Sequence, residues 1–334
     1  MKIIIPMAGL GKRMRPHTLT TPKPLLDIAG KSIVSRLITD ISEMLSEPIE
    51  EVAYIIGDFG KQVEEDLYKL SEELNLKAKI YYQYEALGTA HALYMAKDSL
   101  SGNVLVAYAD TLFYTTFKAD ISEDACIWVK KIDNPSQFGV VELDHQGYIT
   151  RFVEKPKEFV SDLAIIGIYY FKDASALLRE IEFLLENNIT GNGEYQLTDA
   201  LERLMNKGMK IKAAEVQGWF DCGNKNAVLQ THQEIFKLGK FQKTNLLPEN
   251  ITGSVIHQPC YIAEDVKIID SEIGPYVSIG NGTIVENAKI ENSIIYSHAS
   301  IQNATLRNSM IGSYVKYHNM KDREVSLGDY SEIL

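Results

Sequence analysis

The apolar positions of this chain follow two different rhythms. Up to about Gly239, short β-rich runs alternate with stretches of helical periodicity. Residues 2–6 are a continuous apolar run, the pattern of a strand buried on both faces of a mainly parallel sheet. Ile33, Val34, Leu37, Ile38, Ile41, Met44 and Leu45 then fall on one stripe at helical spacing. Further strands are predicted over 52–56, 78–83 and 104–107, with helices over 60–74 and 91–97 between them. Strand and helix alternating in this way mean βαβ units, hence a doubly wound, mostly parallel, three-layer α/β/α fold. Beyond Asp124 the strands crowd together (126–129, 139–143, 148–153, 164–171), which predicts an antiparallel insertion around a site. Helices follow near 174–186, 197–206 and 225–238.

After about Pro248 the helical pattern stops. Aliphatic residues recur every five or six positions: Ile262, Ile268, Ile273, Ile279, Val285, Ile290, Ile295, Ile301, Leu306 and Ile311. One aliphatic per short rung, with Gly274, Gly280 and Gly312 among small or polar residues between, is the signature of a parallel β-helix. An ordinary sandwich of short strands would not keep so even a period through ten consecutive positions. Two domains are therefore expected, one over 1–240 and a left-handed β-helix of hexapeptide-like repeats over 250–334.

Composition narrows the class. With 334 residues, 45% hydrophobic and 24% charged, the chain is long enough for two domains and too apolar for wholesale disorder. A net charge of −11 is the wrong sign for gripping nucleic acid through the whole surface. Residues 1–31, however, hold six basic residues (Lys2, Lys12, Arg13, Arg15, Lys23, Lys31) against the single acid Asp27, leaving the remainder at −16. An acidic protein with one concentrated basic segment points to a small anionic ligand. Cys126, Cys222 and Cys260 are widely spaced and odd in number, so neither a disulfide framework nor a zinc knuckle is implied. There is no apolar run of about 18 residues, and 3–8 is too short for a signal peptide, so a cytoplasmic protein that does not bind membranes is expected.

The strongest local signal is Pro6-Met7-Ala8-Gly9-Leu10-Gly11-Lys12-Arg13-Met14-Arg15-Pro16, followed by Thr21-Pro22-Lys23-Pro24-Leu25. A glycine-rich loop leaving a buried strand lets backbone N–H groups approach phosphate oxygens. Arg13 can then neutralise them as a planar fork and Lys23 as a point charge. The spacing is not that of a P-loop, and a dinucleotide fingerprint lacks its third glycine. Asp58-Phe59-Gly60 imitates a kinase motif, but no His-Arg-Asp accompanies it, so a strand-to-helix turn is expected there. Tyr108-Ala109-Asp110 ends an apolar strand, where open α/β sheets place ligands. Trp219-Phe220-Asp221-Cys222-Gly223 supplies a second carboxylate from a distant segment. Asp110 and Asp221 suit Mg²⁺, which takes few protein oxygens and leaves room for phosphates; taken singly, each reads equally well as a cap or turn residue. Gln83 carries an amide that can meet a pyrimidine's imide edge, or it is a surface residue of a turn.

On these motifs the whole chain resembles the sugar nucleotidyltransferases, in particular glucose-1-phosphate thymidylyltransferases that carry a C-terminal left-handed β-helix. The resemblance implies that Ala8, Gly9 and Gly11 bind a nucleoside triphosphate while Arg13 and Lys23 stabilise its charge; Lys12 departs from the threonine common there. It implies that Gln83 and Gly88 hold thymine or uracil, so dTTP or UTP is favoured. Glu154 would accept hydrogen bonds from sugar hydroxyls, and Lys155 would meet the phosphate of a sugar 1-phosphate, glucose 1-phosphate by default. Gly139, Gly167 and Tyr169 would approach the hexose, and 193–199 would lie near it, although Thr198 and Asp199 read as well as helix-capping residues. Mg²⁺ is the implied cofactor, held by Asp110 and Asp221, and the catalytic set is Arg13, Lys23, Asp110, Lys155 and Asp221.

Three rivals compete: a guanylyl- or adenylyltransferase of the same family, a glycosyltransferase and a non-catalytic regulatory subunit. The second usually needs Asp-x-Asp, and Asp110 is followed by Thr111-Leu112; the third tends to lose the catalytic residues retained here. The β-helix is expected to build a homo-oligomer and not to catalyse, because His257, His298 and His318 are isolated and no long loop is available for an acyl-CoA pocket. Deletion after about Leu246 is expected to abolish assembly.

Overall fold

A computed structural model describes residues 1–191, 193–241, 250–321 and 324–334. Four strands, Lys2–Pro6 (β1), Glu51–Ile56 (β2), Lys77–Tyr82 (β3) and Val104–Ala107 (β4), lie parallel in the order β4-β1-β2-β3. Ile3, Ile4 and Ile5 are wholly buried because β1 has a neighbour on each edge and helices over both faces. The antiparallel insertion follows: Ala125–Lys131 (β5), Gly139–Leu143 (β6), Ile149–Glu154 (β7) and Leu163–Phe171 (β8). β8 runs antiparallel to β4, β5 and β6, and β6 antiparallel to β7. Ile211–Glu215 (β9) closes the nine-stranded sheet, parallel to β5.

The helices are Ile33–Met44 (α1), Lys61–Glu73 (α2), Thr89–Met95 (α3), Ser175–Glu186 (α4), Leu197–Asn206 (α5) and Lys225–Lys237 (α6). Alternation along the strands divides the sheet's two faces. Ile4, Ile55 and Val106 join one core cluster with Leu93 of α3, Ile181 of α4 and Leu201 of α5. Tyr54, one position out of phase, instead sets its hydroxyl 2.9 Å from Ser71 of α2 on the other face. The three layers expected from the pattern are present.

Packing groups the chain into two compact units, 1–9 with 37–219 and 10–36 with 220–334. The junction expected between 240 and 250, Leu246 included, falls largely on 242–249, outside the described residues.

The second unit is built on three parallel sheets, one per side of a left-handed β-helix. Strand partners lie 17 residues apart in the first coils (Ile251↔Ile268, Cys260↔Val277) and 16 apart later (Val277↔Ser293, Lys316↔Glu332). All ten aliphatic residues of the sequence rhythm are 0–1% exposed. The corners need left-handed backbone, which Asn tolerates best after Gly. Asn287, Asn303 and Asn319 accordingly sit at positive φ in successive coils, and their amides bond in a ladder at 2.7 and 2.9 Å. α6 lies on this stack through His232, whose Nε2 is 2.7 Å from Ser278 Oγ, and through Phe236 beside Tyr276.

Two buried histidines make this unit acid-sensitive. Burial pushes the pKa of His232 down to about 3 and that of His17 down to about 4. The unfolded chain therefore binds protons below about pH 6.5 that the folded one refuses, so stability falls as pH drops from about 6.5 toward 4. Each histidine should cost about 1.4 kcal/mol per pH unit across that window. Urea midpoints measured between pH 7.5 and 5 are expected to fall, and His232→Gln is expected to flatten the slope by one histidine's share; an unchanged slope would contradict the assignment.

Candidate active site

The carboxyl ends of the parallel strands gather one set of candidates. Ala8 and Gly9 follow β1, Gln83 follows β3, and Tyr108–Ala109–Asp110 turn out of β4. Backbone bonds hold the first two exits beside β2: Met7 N–H donates to Ile55 O at 2.8 Å and Gln83 N–H to Ile56 O at 2.8 Å. The chain leaves β1 toward β2 on one side and pairs with β4 on the other, the switch point at which open α/β sheets place a ligand. Gly57 comes so close to the loop after β1 that an added Cβ would lie 3.2 Å from Ala8 O.

Gln83 is held from two sides. Its Nε2 donates to Gly88 O at 3.1 Å and lies 3.1 Å from His91 Nδ1. Burial lowers the pKa of His91, which keeps the imidazole neutral and able to accept at Nδ1. With both amide hydrogens used, Gln83 Oε1 remains as an acceptor for an incoming donor. Gly88 has φ of 111°, and a Cβ there would run into the backbone of Tyr195. The segment is zipped onto the approach to α5 by Tyr195 N–H to Leu87 O (2.8 Å), Ala90 N–H to Tyr195 O (2.9 Å) and Leu197 N–H to Thr89 Oγ1 (2.9 Å). Thr198 and Asp199 lie inside the first turn of α5; the cap position is Gln196, which makes no side-chain capping bond, so the capping role expected of the two residues is not found.

Tyr108 gathers a second cluster in the same unit. A Cβ on Gly167, at φ of 84°, would sit 2.8 Å from the Tyr108 ring, and Tyr108 N–H donates to Gly167 O at 2.9 Å. The rings of Tyr108 and Tyr169 are 5.7 Å apart at 60°. Burial raises the Tyr108 hydroxyl to about 12, opposed by hydrogen bonds with Thr89 and Tyr169 and aided by the charges of Glu154 and Asp110. It is therefore a neutral hydroxyl. Gly139 lies against Glu154, where a Cβ would be 3.0 Å from Oε2. Glu154 Oε1 lies 3.7 Å from the ammonium of Lys155, which is 66% exposed and has backbone φ of 44°. Gly167 and Tyr169 thus meet Tyr108, whose hydroxyl also feels the charges of Glu154 and Asp110, while Gly139 and Lys155 adjoin Glu154; no local pattern in the sequence marks Tyr108.

Gly11, Arg13, Lys23 and Asp221 belong to the second unit. Gly11 takes φ of 57°, and Arg13 stands exposed on the 3₁₀ turn Lys12–Met14, anchored by buried Met14. Lys23 opens a second 3₁₀ turn, Lys23–Leu25. Asp221 Oδ1 accepts from Gly223 N–H at 3.0 Å, and a Cβ on Gly223 would sit 3.0 Å from both that oxygen and Arg13 Nη2. A carboxylate and a guanidinium therefore flank one glycine. Among the described residues no three His, Cys, Asp or Glu side chains converge as a metal cage. Hard carboxylate oxygens at Asp110 and Asp221 are nevertheless the donor chemistry that suits Mg²⁺, which relies on phosphates and water for the rest.

The family described as nucleotidyl transferase matches residues 2–237. The chain belongs to that family. Among curated nucleotidyltransferases it is 28% identical over 328 residues to the low-salt glycan biosynthesis nucleotidyltransferase Agl11 of Haloferax volcanii, covering 90% of this chain and 89% of that one. It is also 28% identical over 325 residues to a glucose-1-phosphate thymidylyltransferase of Streptomyces antibioticus, covering 90% and 88%. The fold matches a solved UDP-glucose pyrophosphorylase complexed with UDP-glucose, with a TM-score of 0.57 at 23% identity over 71% of this chain and 98% of that one.

Gly88→Ala tests the first pocket. With the Tyr195 backbone in the way and an unfavourable φ, the variant is expected to displace the segment carrying Gln83 and, where that segment holds a nucleotide, to lose at least about 10-fold in nucleotide affinity, about one hydrogen bond's worth. Titration of intrinsic fluorescence with nucleotide reads the loss, and wild-type affinity would remove Gly88 from the site.

Proposed function

We propose that this nucleotidyltransferase transfers a nucleotidyl group from dTTP or UTP to a sugar 1-phosphate, glucose 1-phosphate first, releasing pyrophosphate. The observation that supports thymine or uracil over cytosine is Gln83: its amide hydrogens are held by Gly88 O and His91, leaving Oε1 as the acceptor, while the preference over purines rests on the family resemblance at Gln83 and Gly88. That oxygen suits the imide N–H of thymine or uracil and finds no proton on N3 of cytosine. The sugar phosphate assignment is supported by the contacts of Gly167 with Tyr108 and of Gly139 and Lys155 with Glu154, and by the Streptomyces antibioticus relative's name.

In this reading a sugar 1-phosphate oxygen attacks the α-phosphorus in line, the α–β bridge bond breaks, and pyrophosphate leaves with the electron pair. The nucleophile is already an anion, so no general base is required. The barrier lies in bringing two polyanions together, and positioning plus charge neutralisation supply the catalysis. Ala8, Gly9 and Gly11 offer backbone to the triphosphate. Arg13 steadies the departing pyrophosphate, and Lys23 and Lys155 the reacting phosphates. Glu154 accepts from the sugar hydroxyls, while Gly139, Gly167 and Tyr169 shape the hexose wall. Asp110 and Asp221 would hold Mg²⁺, which when bound screens the phosphate charge. Catalysis belongs to 1–240 in this scheme, and the β-helix over 250–334 joins subunits into a homo-oligomer in the cytoplasm.

A pyrophosphate-release matrix of nucleoside triphosphates against sugar 1-phosphates tests the proposal. dTTP and UTP are expected to be used and purine triphosphates poorly; preference for GTP or ATP would refute the pyrimidine reading, and no release with any pair would favour a regulatory subunit. Activity should need Mg²⁺, and Asp110→Asn or Asp221→Asn should lose about 10²-fold in kcat. Near-normal turnover in both variants would remove the metal assignment.

A further inference from the structure

The basic loop is not left to stand alone. Within the second unit, residues 16–20 of that loop lie against the final coil of the β-helix. His17 is 2% exposed, and its Nε2 lies 3.0 Å from Ser326 Oγ. Thr20 Oγ1 donates to Asp329 Oδ2 at 2.5 Å, while Asp329 Oδ1 accepts from Ser313 N–H at 2.7 Å in the coil before. Asp329 is thereby held from behind while it holds the loop. Gly328 permits the approach: a Cβ there would lie 2.9 Å from Pro16 Cβ.

The clamp reaches the cations through the loop itself. Thr18 Oγ1 donates to Gly11 O at 2.9 Å, and a Cβ on Gly11 would meet Thr18 Cγ2 at 3.1 Å and Lys23 Cβ at 3.3 Å. Gly11, Thr18 and Lys23 therefore share one small volume, with the turn carrying Arg13 emerging from it. Lys12, Arg13, Arg15 and Lys23 bring four positive charges into one short segment, so tethering it favours a single arrangement of the cations. Holding it in place beforehand removes the ordering cost from the binding step.

We propose that Ser326, Gly328 and Asp329, on the last coil of the β-helix, are positioning residues for the triphosphate-binding cations Arg13 and Lys23. The β-helix thus acts on the chemistry in cis, in addition to any part in assembly. This rests on the reading of Arg13 and Lys23 given above, and the experiment separates the two ideas.

The test uses full-length Thr20→Val, Thr20→Ser, Ser326→Ala and Gly328→Ala, with steady-state kinetics varying each substrate in turn and a thermal melt for each variant. Thr20→Val and Gly328→Ala are expected to lose about 10-fold or more in kcat/KM for the triphosphate, the scale of a small misplacement of a reacting group. The inhibition constant for pyrophosphate should rise with them, while KM for the sugar 1-phosphate stays within about 2-fold, as expected of an interaction made with one substrate only. Thr20→Ser keeps the hydroxyl and should recover most of the loss. Should Gly328→Ala fail to fold, the Thr20 pair decides alone. Thr20→Val equal to wild type, or reduced equally for both substrates, overturns the proposal. Arg13→Ala and Lys23→Ala run beside them: if these retain full triphosphate kinetics the loop reading itself fails, whereas if they are crippled and the coil variants are not, only the positioning idea does.

Discussion

Burial of one five-residue strand organises the nine-stranded sheet. Lys2–Pro6 has a parallel partner on each edge and helices over both faces, so its backbone and its isoleucines have nowhere else to go. Its chain exit is thereby fixed between the exits of the flanking strands. The chain turns to opposite sides of this strand for its two neighbours, and open α/β sheets place a ligand at such a switch point. Ala8, Gln83 and Asp110 are distant in sequence, yet each is the first or nearly the first group beyond a strand at that edge. The β8 strand runs antiparallel beside Val104–Ala107, which brings Gly167 against Tyr108.

The other unit solves a different problem with a simpler rule. A coil of three short strands can bury only one or two aliphatics per side, so stability comes from stacking like sides. Isoleucine and valine satisfy the flat faces, and left-handed corners are filled by asparagine, aspartate, glycine or an aromatic residue. The ladder through Asn287, Asn303 and Asn319 satisfies amides that would otherwise compete with the backbone at each corner.

Much of this was legible in the sequence because it depends on periodicity. The 3.6-residue stripes gave helices within a residue or two, as at Leu197–Asn206, and the rung rhythm marked buried positions one by one. Short strands without a clear pattern were not: Ile211–Glu215 carries a charged residue at its second position, and Thr111–Tyr114 follows Asp110 with no turn signal between. The hairpin Asp27–Ile28 with Lys31–Ser32 is only two residues long on each side. Glycines at Gly88, Gly139 and Gly167 were noticed through family likeness, but the atoms they make room for belong to Tyr195, Glu154 and Tyr108, and no local pattern predicts such partners. His91 beside Gln83, and Ser326 and Asp329 beside the basic loop, are likewise tertiary neighbours.

The meeting of that loop with the last coil also sets the length of the stack. Each coil adds roughly 4.8 Å along the axis, the spacing of hydrogen-bonded strands. Inserting or removing one 16-residue coil would keep every aliphatic in register and leave the core intact. It would nevertheless carry Ser326 and Asp329 past His17 and Thr20 by about one strand spacing. Repeat proteins ordinarily lengthen and shorten by whole repeats at little cost. Here the number of coils is tied to a loop 309 residues earlier in the chain, so the repeat array is held to a fixed count.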